Sequence, residues 1–415
     1  HWIRVEDVPA IWRALENAGL STQEACGDCP RVILGSPVAG VSAAERIDAT
    51  GMIDEITARY IGDKAYSNLP RKFKTAISWL PDIPYECNDI SFLGAVHPEH
   101  GPGYDLWVGG GLSTNPMLAK RLGTWIAPHQ VPDVWAAVTG VFRDYGYRRL
   151  RHRARLKFLV NDWGVAKFRQ IMQDEYLGFE LTDLEAPPVP DQLEDHIGVH
   201  RQADGKYYIG AAPTVGRVSG TLLSQLADVA ERFGSGRVRT TPMQKLLVLD
   251  VAEADVDGAV AALADIGLSA TPSGWRRSTM ACTGIEYCKL AIVDTKDRAT
   301  ALVAELERRV PELDVPISVH VNGCPNACAR TQTADIGLKG QLMTENGKQV
   351  PGFQVHLGGG HGVHAGFGRK LRGLKVSSAE LGDYITRLAR SYLDQREDGE
   401  AFAAWVVRAE EANLR

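Results

Sequence analysis

CTGIEYC at 282–288 and NGCPNACARTQTADIGL at 322–338 hold four of the chain's seven cysteines, spaced C-x5-C and C-x3-C with 35 residues between the pairs. Thiolates are soft, polarisable ligands suited to zinc or to iron–sulfur clusters. Structural zinc favours pairs spaced C-x2 to C-x4, so the wider first pair leans toward a cluster. Cys324 follows an alternating run, PISVHV at 316–321, and a predicted turn at Asn322-Gly323. The second pair is therefore expected at a strand end, where a loop can wrap an inorganic core.

The run from Gly323 through Cys324, Cys328 and Asp335 to Leu338 resembles the siroheme and [4Fe-4S] signature of the assimilatory sulfite and nitrite reductases. CTGIEYCKLA at 282–291 is similar to that family's first cysteine pair, in order, internal spacing and separation. The resemblance implies that Cys282, Cys288, Cys324 and Cys328 hold a [4Fe-4S] cluster. It also implies that Cys328 bridges to the siroheme iron as its axial ligand.

Outward from this stretch the chain repeats itself. Asp7-Val8, Ala14-Leu15 and Gly19-Leu20-Ser21 recur as Asp255-Val256, Ala262-Leu263 and Gly267-Leu268-Ser269, an offset of 248. GYDLWVGGG at 103–111 recurs as GFQVHLGGG at 352–360, and Lys120-Arg121-Leu122 as Arg369-Lys370-Leu371, at an offset of 249. So constant a register means two tandem copies of one unit, related by a pseudo-two-fold axis. The fold class expected is α+β, each copy a ferredoxin-like half-domain followed by a larger α/β unit that binds siroheme and cluster.

The second copy carries about fifty residues before its equivalent of His1. Within them the apolar positions 222, 223, 226, 229, 230 and 233 share one helical face, and Gly234 supplies the stop. The expected division is therefore a C-terminal remnant of the first half-domain at 1–20 and a first catalytic unit at 26–180. A Pro- and acid-rich linker at 181–196, the second half-domain at 197–268 and the second catalytic unit at 275–415 follow. The chain opens on His1 rather than Met, and a truncated or processed N-terminus is expected.

In the first copy, LPRKFK at 69–74 places three cations within four positions. Lys72 and Lys74 stand two apart, so an extended segment turns both ammonium groups to one side. From the residues alone a solvated basic loop is an equal reading. The segment is similar to the one whose two lysines line the substrate face of siroheme in the family. There the second lysine goes with sulfite reduction and asparagine with nitrite reduction, so Lys74 favours sulfite, the more charged oxyanion. CPRVILGSP at 29–37 resembles the segment with a substrate-contacting arginine, which maps to Arg31. RTTPMQ at 239–244 looks like a siroheme segment, carrying over Gln244, with Asn326 and Arg71 as further cofactor contacts.

A length of 415 residues supports more than one domain, and the net charge of −5 excludes a general nucleic-acid binder. No apolar run nears the ~20 residues that span a bilayer. Seven cysteines in so long a chain make no disulfide framework, and a reducing cytoplasm is expected. Cys26-x-x-Cys29 reads as structural or incidental, and Cys87 as a core residue. The triple glycines at 109–111 and 358–360 read as sites of close backbone approach. His356, His361 and His364 read as unligated.

YRRLRHRARLK at 147–157 reads either as a solvated helix face with Leu150 and Leu156 inward, or as a docking patch for an acidic donor. The function expected is assimilatory sulfite reduction to sulfide by a monomer fed by reduced ferredoxin, with Arg31, Lys72 and Lys74 holding the substrate. A nitrite reductase on the same scaffold and a non-catalytic four-thiolate zinc protein stand as the rivals.

Overall fold

Phe73 is fully buried between the half-buried Lys72 and the exposed Lys74, the alternation that makes a strand with one wet and one dry face. The strand built there is β2 (Phe73–Ser78), in a six-stranded sheet with β1 (Pro30–Gly35), β3 (Ile90–His97), β4 (Gly101–Val108), β5 (Lys120–Ile126) and β6 (Thr182–Asp183). The strands lie in sequence order; β1–β2–β3 are parallel and the rest antiparallel. The computed structural model describes all 415 residues. They fall into a first unit of residues 1–40, 44–111 and 116–188, and a second of 41–43, 112–115 and 189–415.

In the first unit α1 (Val8–Asn17) precedes the sheet, and α2 (Thr50–Tyr60), α3 (Val131–Tyr145) and α4 (Leu156–Met172) pack with it. Trp135 of α3 is buried, stacks on Tyr60 with ring centroids 5.3 Å apart, and donates from Nε1 to Thr75 Oγ1 at 2.8 Å. A buried indole needs that acceptor, and here it fixes the dry face of β2 so that the wet face is held rigidly.

The second unit contains two sheets. A four-stranded antiparallel sheet, ordered β7–β8–β10–β9, is built from β7 (Gly198–Arg201), β8 (Tyr207–Ala211), β9 (Val238–Thr240) and β10 (Leu246–Val251). It packs with α5 (Gly220–Phe233) and α6 (Val256–Asp265) over one apolar core. Ser219 caps α5, accepting from Leu222 N at 3.0 Å. Leu226, Val229 and Ala230 face the core, while Leu223 stays half exposed. Gly234 ends the helix for a reason other than a left-handed turn: a Cβ there would stand 2.3 Å from Leu249 O.

Next come α7 (Gly274–Ser278) and a five-stranded sheet of β11 (Thr279–Ala281), β12 (Val319–Asn322), β13 (Ile336–Glu345), β14 (Lys348–Leu357) and β15 (Lys375–Ser377) in sequence order. With it pack α8 (Lys296–Arg309), α9 (Leu381–Gln395) and α10 (Phe402–Arg408). β11–β12–β13 are parallel and β13–β14–β15 antiparallel, the pattern of the first unit.

The sequence repeat is kept in the backbone. Val108 pairs with Lys120 as Leu357 does with Arg369. Gly109 N donates to Asp89 O and Gly358 N to Asp335 O, each at 2.8 Å. Gly110 and Gly359 permit close approach, since a Cβ would stand 2.4 Å from Glu86 O in the first and from Gln332 O in the second. No helix is long and apolar enough to cross a membrane.

Candidate functional site

In the first unit the site residues gather at the start of β2. Lys72 is half-buried and lies in the field of Lys74, Arg155, Arg71 and Arg31. Burial first, then these four cations, hold its ammonium below the usual lysine pKa. Four further cations thus bear on Lys72, and this cluster, called the cup below, is a concentration of charge that an anion would relieve.

Carboxylates brace the cup from behind. Asp89, fully buried, accepts from Arg155 Nε at 3.0 Å and Nη2 at 2.7 Å, and from Lys74 N at 2.8 Å. Asp28 accepts from Arg71 at 3.0 Å and Arg151 at 2.8 Å, and the Arg151 bond in particular keeps its carboxyl below the ordinary range. Arg31 donates from Nη1 to Ala25 O at 2.8 Å and from Nη2 to Gly27 O at 2.7 Å, which leaves one N–H of each amino group to point elsewhere. Cys26 and Cys29 are free thiols, with Cys29 Sγ 3.5 Å from Cys26 O; burial raises the Cys29 pKa, away from a reactive thiolate.

Asp89, Arg155 and Lys157 are members of this group that the sequence did not single out. The run 147–157 is not one solvated helix face. A short 3-10 turn spans Arg151–Arg153 and α4 begins only at Leu156, so Leu156 is buried while Leu150 stays 49% exposed. Arg155 turns inward to Asp89, and Lys157, buried, donates to Gly111 O at 3.0 Å. Burial brings the Lys157 pKa down to about 8. Replacing Asp89 by Ala leaves Arg155 buried and uncompensated, so unfolding free energy falls by about 3–5 kcal/mol. Denaturant midpoints for Asp89→Ala and for Asp89→Ala/Arg155→Met check this, the double variant recovering part of the loss.

In the second unit the cysteine pairs lie at the ends of neighbouring parallel strands, β11 and β12. Cys282 N donates to Val321 O at 2.9 Å, Gly323 N to Cys282 Sγ at 3.2 Å, and Ile292 N to Gly323 O at 2.7 Å, so the two loops pack on each other. The expected strand at 316–321 begins only at Val319, and Asn322 belongs to it rather than to a turn. Buried Asn322 donates from Nδ2 to Cys324 O at 2.6 Å and accepts at Oδ1 from Ala329 N at 2.9 Å, stapling the loop that carries Cys324 and Cys328. Ala327 and Arg330 adopt left-handed φ of 56° and 54°, as a tight wrap requires.

Cys324 is buried, Cys282 and Cys288 intermediate, and Cys328 exposed beside the exposed Asn326. All four are free thiols, and a backbone N–H already points at one of them. The chemistry of four thiolates on two packed loops suits an iron–sulfur cluster, although their sulfurs are not drawn into one preformed metal group. Gln244, with φ of 60°, donates from Nε2 to Ala281 O at 2.9 Å and accepts at Oε1 from Ala281 N at 3.3 Å. Its amide thus clamps the residue before Cys282. Arg330 Nη2 donates to Pro242 O at 3.0 Å, so the 239–244 segment is tied to both cysteine loops.

His356 is half-buried and its pKa falls to about 4 through burial, which keeps it neutral. A cavity of about 1180 Å³ in this unit is lined in part by His320, Asp335, His361 and His364. No group of three or more metal-binding side chains is preformed in the structure.

The family model described as the nitrite and sulphite reductase 4Fe-4S domain matches residues 26–181 and 275–415, and the nitrite/sulfite reductase ferredoxin-like half domain matches 200–266. A sulfite reductase [ferredoxin] of Mycobacterium tuberculosis is 58% identical over 420 residues, covering 100% of this chain and 76% of that protein. An assimilatory ferredoxin-dependent nitrite reductase of Haloferax mediterranei is 34% identical, over 98% of this chain and 72% of its own length. The solved structure of the Mycobacterium tuberculosis NirA protein superposes with a TM-score of 0.98 at 58% identity, covering 100% of this chain and 77% of that one.

Proposed function

The chain belongs to the nitrite and sulphite reductase 4Fe-4S family, and from that membership we propose that it is a ferredoxin-dependent sulfite reductase, taking sulfite to sulfide and water. The cluster of cations around Lys72 carries the choice of an oxyanion substrate. The relatives named as sulfite reductases are also more alike to this chain than those named as nitrite reductases, 58% against 34% identity.

A [4Fe-4S] cluster and a siroheme are the cofactors, and when bound they would supply electron storage and the multi-electron redox chemistry. Cys282, Cys288, Cys324 and Cys328 would hold the cluster, and Cys328, the exposed member of the four, would be the one nearest to siroheme. Asn326 and Arg71 are assigned to siroheme from the family resemblance of their segments. Gln244 serves by fixing the backbone of Ala281, one residue ahead of Cys282. Arg31, Lys72 and Lys74 bind the sulfite oxygens. Lys72, with its proton loosened by burial and like charge, donates that proton from Nζ to a departing oxygen. Lys74, at the exposed lip of β2, adds the charge that suits a dianion over a monoanion.

Reduced ferredoxin is the electron donor, and its docking place is read as the exposed arginines of 147–153, beside the cup. We read the protein as a cytoplasmic monomer, since free thiols in this number suit a reducing compartment.

Turnover with a reduced dye, sulfite against nitrite, tests the assignment. The holoenzyme should prefer sulfite in kcat/KM. Lys74→Asn should lower sulfite kcat/KM by about tenfold or more, the worth of one charge-assisted hydrogen bond, and narrow the preference. A wild type that favours nitrite would reverse the reading.

A further inference from the structure

Lys296, at the start of α8, is a half-buried cation with no part in the proposed chemistry. It directly follows Thr295, whose Oγ1 donates to Cys282 O at 2.7 Å and lies 3.8 Å from Cys282 Sγ. Its own Nζ donates to Val215 O at 2.5 Å. Val215 is β-branched and fully buried, yet has φ of 49°. A valine in that left-handed region is strained and persists only where the surroundings over-determine it. The following Gly216, φ 69°, lies against Gln244, the residue that clamps Ala281. The product of this strained turn is a carbonyl aimed at the Lys296 ammonium.

Burial loosens the Lys296 proton, to a pKa of about 8, while Cys282 pulls it back up. The neighbouring cation Arg217 is engaged by Glu286 and Asp297. Lys296 is therefore a partly desolvated positive charge set beside the first of the four cysteines. Fixed charge at such a site is poorly screened by salt and acts strongly on a neighbouring anion.

We propose that Lys296, anchored by the Val215 carbonyl, is a positioning charge that stabilises the reduced form of the iron–sulfur cluster bound through Cys282. One electron arriving from reduced ferredoxin adds one negative charge to the cluster and its thiolates, and the ammonium lowers the free energy of that state. No proton needs to move. The inference rests on the four-cysteine cluster reading and concerns the potential, one of the protein's levers on such a centre.

The test is an EPR-monitored redox titration of the holoenzyme, with iron content measured alongside. Lys296→Met should keep its iron and lower the cluster's one-electron reduction constant about tenfold, a midpoint about 59 mV more negative. Lys296→Arg should stay near wild type. Lys296→Gln, which keeps an N–H for Val215 O but no charge, should follow the methionine variant. A wild-type midpoint in the glutamine variant would overturn the proposal and leave Lys296 a structural brace. Loss of iron from both neutral variants, with the arginine variant intact, would overturn it equally, since the charge would then be serving assembly. A wild-type holoenzyme with no cluster signal would sink the cluster reading itself, an outcome separate from the other two.

Discussion

Lys72→Met should cut kcat for sulfite by about 10²–10⁴-fold, the span of a lost proton donor, while iron content and visible spectrum stay those of the wild type. Lys72 holds its proton more loosely than an ordinary lysine does, because burial first and then the charges of Lys74, Arg155, Arg71 and Arg31 oppose its ammonium. Methionine matches the length of the side chain but brings neither charge nor proton. Three or more cations remain to hold sulfite, so KM should rise far less than kcat falls. Lys72→Arg separates the two duties: a guanidinium restores charge and should bring KM back, yet it stays protonated at any working pH, so it surrenders no proton and kcat stays low. Relief of like-charge repulsion also means that the denaturant midpoint of Lys72→Met should not drop. A variant with wild-type kcat would remove Lys72 from the chemistry.

The same lowered pKa sets the sign of a pH effect. In the empty cup Lys72 loses its proton at lower pH than an ordinary lysine does. Sulfite affinity should therefore weaken as pH rises through that lowered value, and the fall should be absent from Lys72→Arg. Bound oxyanion favours the protonated form, so kcat should decline at higher pH than kcat/KM. Initial rates across pH at saturating and limiting sulfite would show the two limbs apart.

What the sequence made legible and what it hid follow from the range of the forces involved. Backbone spacing is local, so the register of Gly109–Gly111 against Gly358–Gly360 and the pairing of Lys72 with Lys74 could be read from residue order. The repeat has a counterpart in the backbone that residue order does not show: Asp89 and Asp335 precede equivalent strands and each accepts a glycine N–H at its carbonyl. Arg155 and Lys157 were hidden, since a basic run carries no mark of which members turn inward. Only the distant Asp89, 66 residues away, and the carbonyl of Gly111 decide that. The Gln244 amide also bonds Ala281, a contact across 37 residues that no local pattern encodes. Strain at Val215 was equally out of reach, because φ is set by what surrounds a residue rather than by its type.

Cys324→Ser should strip the protein of its cluster and abolish sulfite turnover while the fold stands. Cys324 is the buried member of the four, and its carbonyl is held by Asn322 Nδ2 at 2.6 Å, so the loop is shaped by backbone bonds that serine leaves in place. Asn322 also receives Ala329 N, and Gly323 N still reaches Cys282 Sγ, which keeps the two cysteine loops packed without the metal. Serine differs from cysteine by one atom, but its hydroxyl stays protonated near neutral pH and is a hard, poor ligand for cluster iron. Far-ultraviolet circular dichroism should therefore match the wild type, whereas iron per chain and the cluster EPR signal should fall toward zero. Turnover should drop by more than about 10²-fold, beyond what the loss of an outer-shell partner costs a metal site. Cys87→Ser is the control: Cys87 is buried in the first unit, outside the four-cysteine set, and that variant should keep its iron. Full iron in Cys324→Ser would mean that the cluster is held by another set of ligands. The C-x5-C and C-x3-C spacing from which the whole reading starts would then have been misassigned.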